Sequence, residues 1–332
     1  MRTLPCLCAL VLVGCEPVVH DELNEALLSV RQGTGPDDVW AFGSDLGDGP
    51  AMHHWNGAEW AQIDTADIAG NDLWWGFPTA SQVFLAGSNG LVGHYDRADG
   101  TFEIAEGLDP ALTFFGIWGP SDRDVWAVGG AIGTSLPPAV HRWNGTQWMP
   151  WAPPTGPGED GNVYFKVHGT GPDDIWIVGN RGQALRWDGD ALQDTGAADV
   201  MGDGSGNAPS LLTVDAGGET PIAVGGAGEG VILHWNDSDG TWTPNNPEFA
   251  PALLGVCSGP DGALRAVGGQ GSVYAWDGGS WQQWERGITH LGLHACLFDD
   301  DGGFWTGGGS IAAAPLDDGV LIYEGAVRLP SP

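Results

Sequence analysis

One acidic turn, Asp299-Asp300-Asp301-Gly302, holds the densest set of oxygen ligands in this chain. Carboxylate oxygens of this kind are the ligands that Ca²⁺ prefers. The spacing of Asp299, Asp300 and Asp301 matches no established calcium loop. The turn is therefore a candidate Ca²⁺ site, and we expect no other metal or cofactor.

Histidines are the second group that could ligate a metal, and the chain has nine. His54, His94 and His234 each stand directly before the aromatic residue of a similar short segment. They belong to different repeats of the chain and cannot converge on one ion, so we expect them to pack. His168 and His294 fall on strands that we expect to line a central channel.

The composition indicates what kind of fold must position these residues. The 332 residues include 18 tryptophans, 56 glycines and 23 prolines, and only 16% of them are charged. Tryptophans bury large surfaces and Gly/Pro-rich turns join short strands, so we predict a folded, all-β protein. The net charge of −32, with 11 basic residues, excludes counterion-release binding to nucleic acid and direct adhesion to anionic lipid.

The N-terminus has the pattern of an export signal. One arginine precedes the apolar run 4–13, which is too short to span a bilayer but matches the apolar core of a signal peptide. We therefore predict that residues 1–14 are a signal peptide.

The apolar run ends in Leu12-Val13-Gly14-Cys15, which resembles the lipobox of bacterial lipoproteins. The resemblance implies cleavage before Cys15 and lipidation of that cysteine, and two or more acyl chains anchor a protein stably. We expect residues 15–25 to form a short acidic tether. The expected location is the cell envelope, at the outer membrane.

The body of the chain repeats a turn, a Trp-containing apolar run and a second run that ends in an aromatic turn. Clear copies begin at GTGPDDVWAFG (33–43), WGPSDRDVWAVGG (118–130) and GTGPDDIWIVG (169–179). Seven units recur about every 44 residues, which is a typical propeller-blade length. Their marker residues are Trp40, Phe84, Trp126, Trp176, Ala223, Arg265 and Trp305.

Each unit is interpreted as four short strands, which in the third unit cover 112–117, 124–129, 139–143 and 146–151. Asn-Gly and Asp-Gly pairs signal hairpins in which both turn residues take positive φ. We predict that residues 26–330 form a seven-bladed β-propeller of four-stranded antiparallel blades, with tryptophans between blades. Unit one has a first strand and unit seven a last strand, so we expect little strand exchange between the termini.

The repeat resembles those of the Asp-box and WD-type propeller superfamilies. It is most similar to Trp-rich repeats, of the form DVWAVG…HWNG…W, in envelope lipoproteins of predatory and soil bacteria. The stretch 238–242 is the nearest to an Asp-box and departs from its spacing. These resemblances imply a fold and not an activity.

Two cysteines lie in the repeats, Cys257 and Cys296. They occupy equivalent positions on the predicted first strands of units six and seven, and neighbouring first strands approach near the axis. The exported compartment is oxidising, so a disulfide between them is one expectation. The alternative is two small buried thiols.

The predicted connectivity places all long loops on one face. The 2–3 loops 44–51, 129–138 and 308–318 and the 4–1 loops 151–162, 193–209 and 243–250 vary in length, whereas the other connections are short turns. Loops on a rigid scaffold often carry binding residues. The candidate binding residues on this face are Asp45, Asp48, Thr134, Leu136, Asp160, Asp203 and Asn207.

We expect a monomeric, lipid-anchored envelope propeller that acts as a scaffold and binds a protein, glycan or fibre, and we expect no catalytic residues. The alternative is a carbohydrate-active hydrolase or lyase with its site at the channel mouth. A third hypothesis is that the protein is a structural assembly factor for another envelope complex. An enzyme requires acidic or histidine side chains that converge there with raised pKa, whereas a binder requires an exposed apolar patch.

Overall fold

The computed structural model describes residues 18–152, 161–201, 208–285 and 288–325. They form seven four-stranded antiparallel sheets around one axis, which is the predicted seven-bladed β-propeller. The first strand of each blade packs against the first strands of both neighbouring blades, so these strands are innermost and the ring is closed.

The strands follow one another outward from the axis in each blade. Blades one and two contain β2 (Leu27–Gln32), β3 (Val39–Asp45), β4 (Pro50–Trp55), β5 (Trp60–Gln62), β6 (Leu73–Pro78), β7 (Gln82–Gly87), β8 (Val92–Asp96) and β9 (Thr101–Ile104). Blades three and four contain β10 (Thr113–Ser121), β11 (Asp124–Gly130), β12 (Ala139–Trp143), β13 (Trp148–Pro150), β14 (Tyr164–Gly171), β15 (Asp174–Gly179), β16 (Ala184–Trp187) and β17 (Leu192–Asp194). Blades five to seven contain β18 (Leu211–Asp215), β19 (Ile222–Gly225), β20 (Val231–Asn236), β21 (Thr241–Pro244), β22 (Leu253–Ser258), β23 (Leu264–Gly268), β24 (Ser272–Trp276), β25 (Trp281–Glu285), β26 (Gly292–Phe298), β27 (Phe304–Ser310) and β28 (Asp317–Glu324), with β1 (Val18–Glu25) beside β28.

The described helices are short and lie in connections. They are α1 (Ala197–Met201) and the 3₁₀ turns Ala66–Ile68, Asn180–Gly182, Pro260–Gly262 and Gly269–Gly271. Within these described ranges, no helix has the length and apolarity that a bilayer span requires.

The N-terminal strand closes the ring, which corrects the expectation of little strand exchange. β1 pairs antiparallel with β28 and supplies the fourth strand of blade seven. Residues after 325, where a further strand of unit seven would have to lie, are outside the described part of the chain. The predicted tether is therefore wrong over 18–25, because the open edge of β28 accepts this segment as a paired strand.

Asn-Gly and Asp-Gly pairs do form hairpins, but their turn type differs from the prediction. Trp143 pairs with Trp148, so the loop has four residues instead of two. Gly145 takes a φ of 91°, while Asn144 does not have positive φ. Its Oδ1 accepts the backbone N–H groups of Thr146 and Gln147 instead, at 3.0 Å each. The Asx side chain thus replaces a second left-handed residue.

Tryptophans fill the layers between blades, as predicted. The rings of Trp126 and Trp187, in blades three and four, lie 5.5 Å apart, and those of Trp176 and Trp235, in blades four and five, lie 4.9 Å apart. Such aromatic pairs bury large areas between neighbouring sheets.

The marker residue of blade five is Ile222 and not Ala223. Ile222 pairs with His234 as Trp40 pairs with His54. Neighbouring residues of a strand point to opposite faces of the sheet, so the side chain of Ala223 lies on the opposite face from the other markers.

An Asp two residues before the marker Trp supports that ring. In blade four, Asp174 Oδ1 accepts the indole N–H of Trp176 at 3.0 Å, and the Arg186 guanidinium lies 5.1 Å from the ring centroid of Trp176. In blade one, Asp38 accepts the indole N–H of Trp40 at 2.7 Å. In these two blades Asp-x-Trp therefore satisfies a buried indole, whereas in blade three Asp124 pairs with Arg142 and the indole N–H of Trp126 has no partner among the described residues.

Candidate functional site

Each innermost strand carries a β-bulge near its first residue. One extra residue of the innermost strand is left unpaired at that point in all seven blades. Bulges re-aim a side chain, and here they direct most of these side chains into the central channel. The bulged residues are Leu28, Trp74, Phe115, Phe165, Leu212, Leu254 and His294.

Six of these side chains, all except Leu28, line a cavity of about 690 Å³. Aromatic contacts join four of them into a continuous arc. Trp74 lies 5.0 Å from Phe115 and 5.7 Å from His294, and Phe115 lies 5.4 Å from Phe165, measured between ring centroids. Leu212 and Leu254 complete the wall. The cavity is therefore mainly apolar.

The mouth of the cavity opens on the face that carries the long loops. Ile132 and Ile311 belong to 2–3 connections and His290 to a 4–1 connection, and all three line the cavity. Ile132 is 67% exposed. This is the binding face predicted from the sequence, and 129–138 is one of its predicted long loops.

The same face presents most of the large exposed apolar side chains. Leu46 and Ile132 lie in 2–3 connections, Val200 and Phe249 lie in 4–1 connections, and Phe249 is 97% exposed. Exposed apolar groups gathered on one face are typical of binding surfaces.

The candidate residues that the structure describes, Asp45, Asp48, Thr134 and Leu136, lie on this face but do not line the cavity. Asp45 Oδ1 accepts backbone N–H groups from Gly47 and Gly49, so its carboxylate is used to order its own loop. Asp48 is exposed in that loop.

In the 131–138 connection, Thr134 Oγ1 donates to the carbonyl of Ala131 at 2.9 Å, and the carbonyl of Leu136 accepts the N–H of Gly161. These two candidates shape the loop. The remaining predicted residues, Cys15, Asp160, Asp203 and Asn207, lie outside the described part of the chain.

A second, polar chamber of about 250 Å³ occupies the other end of the channel. Arg31, Lys166, His168, Asp215 and Ser258 line it. The Asp215 carboxylate accepts the hydroxyl of Ser258 at 3.0 Å and lies 3.2 Å from His168 Nδ1. Burial alone would raise the pKa of Asp215, but the contacts with His168 and hydrogen bonds from backbone N–H groups lower it to about 2.

Lys166 separates the two chambers and borders both. It is the only lysine of the chain and is 4% exposed. Its Nζ donates to the carbonyl of Phe115 at 3.2 Å and lies 3.1 Å from the ring centroid of Trp75. Burial, reinforced by the charge of Arg31, lowers the pKa of this amine well below its usual value.

His168 and His294 both reach the channel, as expected from their strands. The Nδ1 of His294 hydrogen-bonds the carbonyl of Leu28 and so joins blade seven to blade one. Burial lowers the pKa of His294 to about 4, with a further contribution from the charge of Lys166, although the bond to Leu28 opposes the shift.

The candidate Ca²⁺ turn has a structural role in the described fold. Asp299 accepts the backbone N–H groups of Asp301 and Gly303 and the indole N–H of Trp305 at 2.9 Å. Asp300 donates its backbone N–H to the side chain of Gln32. Across the described ranges, no group of three or more His, Cys, Asp or Glu side chains is arranged to hold a metal ion.

Cys257 and Cys296 are joined by a disulfide between the innermost strands of blades six and seven, with Cα atoms 5.7 Å apart. Their positions are not equivalent. Cys257 pairs with the marker Arg265, and the residue of blade seven that pairs with the marker Trp305 is Leu297. The cysteines are therefore offset by one residue.

Apart from His294, the residues of the cavity wall and Lys166 were not predicted from the sequence. A lysine that occurs once in 332 residues is a signal that could have been read. The bulged residues carry no such signal, because nothing in a short apolar strand says which residue will be left unpaired.

No protein-family model and no curated protein sequence matches this chain significantly. Its fold is similar to that of the extracellular domain assigned to a hybrid two-component system, BT4673 of B. thetaiotaomicron, with a TM-score of 0.66 and 13% identity, over 96% of this chain and 40% of that one. It is also similar to the WD40 β-propeller domain of Doa1, with a TM-score of 0.64 and 9% identity, over 94% and 96% of the two chains. At these identities the similarity shows a shared propeller fold.

Proposed function

We propose that this protein is an exported β-propeller that acts as a binding scaffold, with its binding site on the long-loop face. The observation that carries the proposal is the apolar cavity of about 690 Å³ at the axis, which opens on the face whose loops carry exposed apolar residues. Ligand sites are typically concave, mostly apolar and few per protein. The similarity to an extracellular propeller domain supports the exported location.

Lipid anchoring at the envelope, in the outer membrane, belongs to the same proposal. It rests on the lipobox-like run that ends at Cys15. Replacing Cys15 with alanine should release the protein from membrane fractions, because acyl chains provide the anchor. A Cys15→Ala variant that stays in the membrane fraction would exclude lipidation as the anchor.

A carbohydrate-active hydrolase gains no support from the cavity. Such enzymes use a pair of carboxyl groups on either side of the scissile bond. Among the described residues that line the cavity, Asp318 is the one carboxylate.

The binding face is tested by charge substitutions at its exposed apolar residues. Ile132→Asp and Phe249→Asp should each abolish retention of an envelope partner in cross-linking and pull-down, because they place a charge where apolar surface would be buried. Matched controls are Met149→Asp and Trp284→Asp, which alter exposed apolar residues on outermost strands. Equal loss from both pairs would show that the long-loop face is not the binding surface.

A further inference from the structure

We propose that the channel binds an amphiphilic carboxylic acid, whose alkyl or aryl body fills the apolar cavity and whose carboxylate contacts Lys166. This inference names the ligand class of the proposed binding site and rests on that proposal for the open mouth through which the ligand enters.

The cavity fits the body of such a ligand. Trp74, Phe115 and Phe165 form one wall, and Leu212 and Leu254 form the facing one. The volume of about 690 Å³ lies within the range of roughly 300–1,000 Å³ that is usual for small-molecule sites. Apolar atoms of the ligand would replace water along this wall, which is favourable in proportion to the area covered.

The inner end of the cavity fits the carboxylate. Lys166 Nζ uses one donor on the carbonyl of Phe115 and faces the Trp75 ring, which leaves donors for a ligand. In the part of the chain that the structure describes, Lys166 and Arg31 make no ion pair, whereas Arg186 pairs with Asp174. Burial disfavours the charged form of the Lys166 amine, and a ligand carboxylate beside it would favour that form and supply the missing partner.

Asp215 does not fill this role. Its carboxylate is engaged by Ser258 and by the backbone N–H of Gly217, and no ion pair with Lys166 forms. It interacts with Arg31 only through space and at longer range.

The charge of the whole protein selects an amphiphile over a small inorganic anion. A net charge of −32 repels anions at long range, so an ion without an apolar body would not accumulate in the channel. The apolar body must provide most of the affinity, and the ammonium group then selects the acid over neutral molecules of the same shape.

The test compares three probes on the purified full chain by isothermal titration calorimetry at neutral pH: octanoate, 1-octanol and acetate. Octanoate should bind at least about tenfold more tightly than 1-octanol, because a hydrogen bond to a charged group adds selectivity of that order. Acetate should give no measurable binding. Equal affinities for octanoate and 1-octanol, or no binding of either, would overturn the inference.

Two variants assign the preference to the amine. Lys166→Met keeps the length of the side chain and should reduce octanoate affinity about tenfold while 1-octanol affinity stays unchanged. Phe165→Glu adds a carboxylate to the wall and should weaken octanoate more than 1-octanol. The matched control Arg186→Met removes a cation between blades and should leave both affinities unchanged.

The outcome separates this inference from the scaffold proposal. If the Lys166→Met protein still prefers octanoate, the ammonium group does not select the ligand. The comparison of probes on the wild-type protein decides the ligand class even if that variant does not fold. The face variant Phe249→Asp, at a residue that does not line the cavity, decides the scaffold proposal independently.

Discussion

The layers between blades and the wall of the central channel are built from the same seven repeats, yet they differ in how their residues vary. Between blades, the marker position is a buried aromatic residue in five of seven units, and Asp-x-Trp recurs with the same hydrogen bond in blades one and four. On the channel wall, the bulged position is occupied by leucine, tryptophan, phenylalanine or histidine.

The residue after each bulge varies even more. It is Ser29 in blade one, Trp75 in blade two, Lys166 in blade four and Thr213 in blade five. Where the same residue type recurs in several blades, it makes the same kind of contact between neighbouring sheets. Positions that differ between blades give the channel its asymmetry, and an asymmetric site is what a ligand without sevenfold symmetry requires.

The largest expected effect tests the layer between blades. Trp176 is 1% exposed and contacts two tryptophans of blade five. Trp176→Ala should lower the free energy of unfolding by about 3–5 kcal/mol, because it leaves a large cavity between sheets. Denaturant titration measures this, with Trp284→Ala, at a position 47% exposed, as the control. Similar losses from both would contradict the structural role of the layer.

The second effect tests the cluster of Asp38, His54 and Arg97 beside the marker Trp40. Asp38 accepts hydrogen bonds from His54 and from both terminal nitrogens of Arg97. Burial opposes its ionisation, but these bonds hold the pKa of Asp38 well below its usual range. Asp38→Asn should destabilise by about 2–4 kcal/mol, because Arg97 keeps its charge without a carboxylate. Asp188→Asn, in an exposed turn, should change stability by no more than about 0.5 kcal/mol in the same titration.

The third prediction concerns pH and tests His294. This residue lines the channel and also joins blade seven to blade one. The pKa of His294 is lowered from 6.5 to about 4 in the fold, so between these values the unfolded chain binds a proton that the folded chain does not. Stability should therefore fall as pH decreases from about 6.5 to about 4. In His294→Asn this loss should be smaller by up to about 3 kcal/mol.

Burial also lowers the pKa of four other histidines, His53, His94, His141 and His234. Their contribution persists in the His294→Asn variant, so the difference between the two pH profiles of unfolding midpoint isolates His294. Superimposable profiles would show that His294 is not buried as a neutral side chain.

The smallest expected effect tests the channel wall. Phe165 is half-buried and faces the cavity. Phe165→Ala should cost about 1 kcal/mol or less in unfolding free energy, because the side chain leaves an existing cavity instead of creating one. Octanoate and 1-octanol affinities should fall together. A loss comparable to that of Trp176→Ala would mean that the wall is structural and would remove the contrast between the two regions.

The parts of the fold that were predicted depend on short stretches of chain. Strand pairs in a blade are joined by turns of few residues, and the third blade matches its prediction within two residues at most strand ends, because turn residues such as Asn144-Gly145 mark them locally. The exception is the first strand, which continues through Gly119-Pro120 to Ser121. The marker of blade five was wrong by one residue although the run Ala-Val-Gly-Gly, shared by 127–130 and 223–226, aligns Ile222 with Trp126.

The sequence by itself determined the seven repeats, the four strands of each blade and the tryptophans between blades, because periodicity and turn residues act over a few positions. Only the tertiary structure decided that β1 closes blade seven, that the bulged side chains meet around one cavity, and that the single lysine lies between its two chambers. These features join residues as far apart as 18 and 323. Contacts at that range follow from the closed ring, which no single repeat encodes.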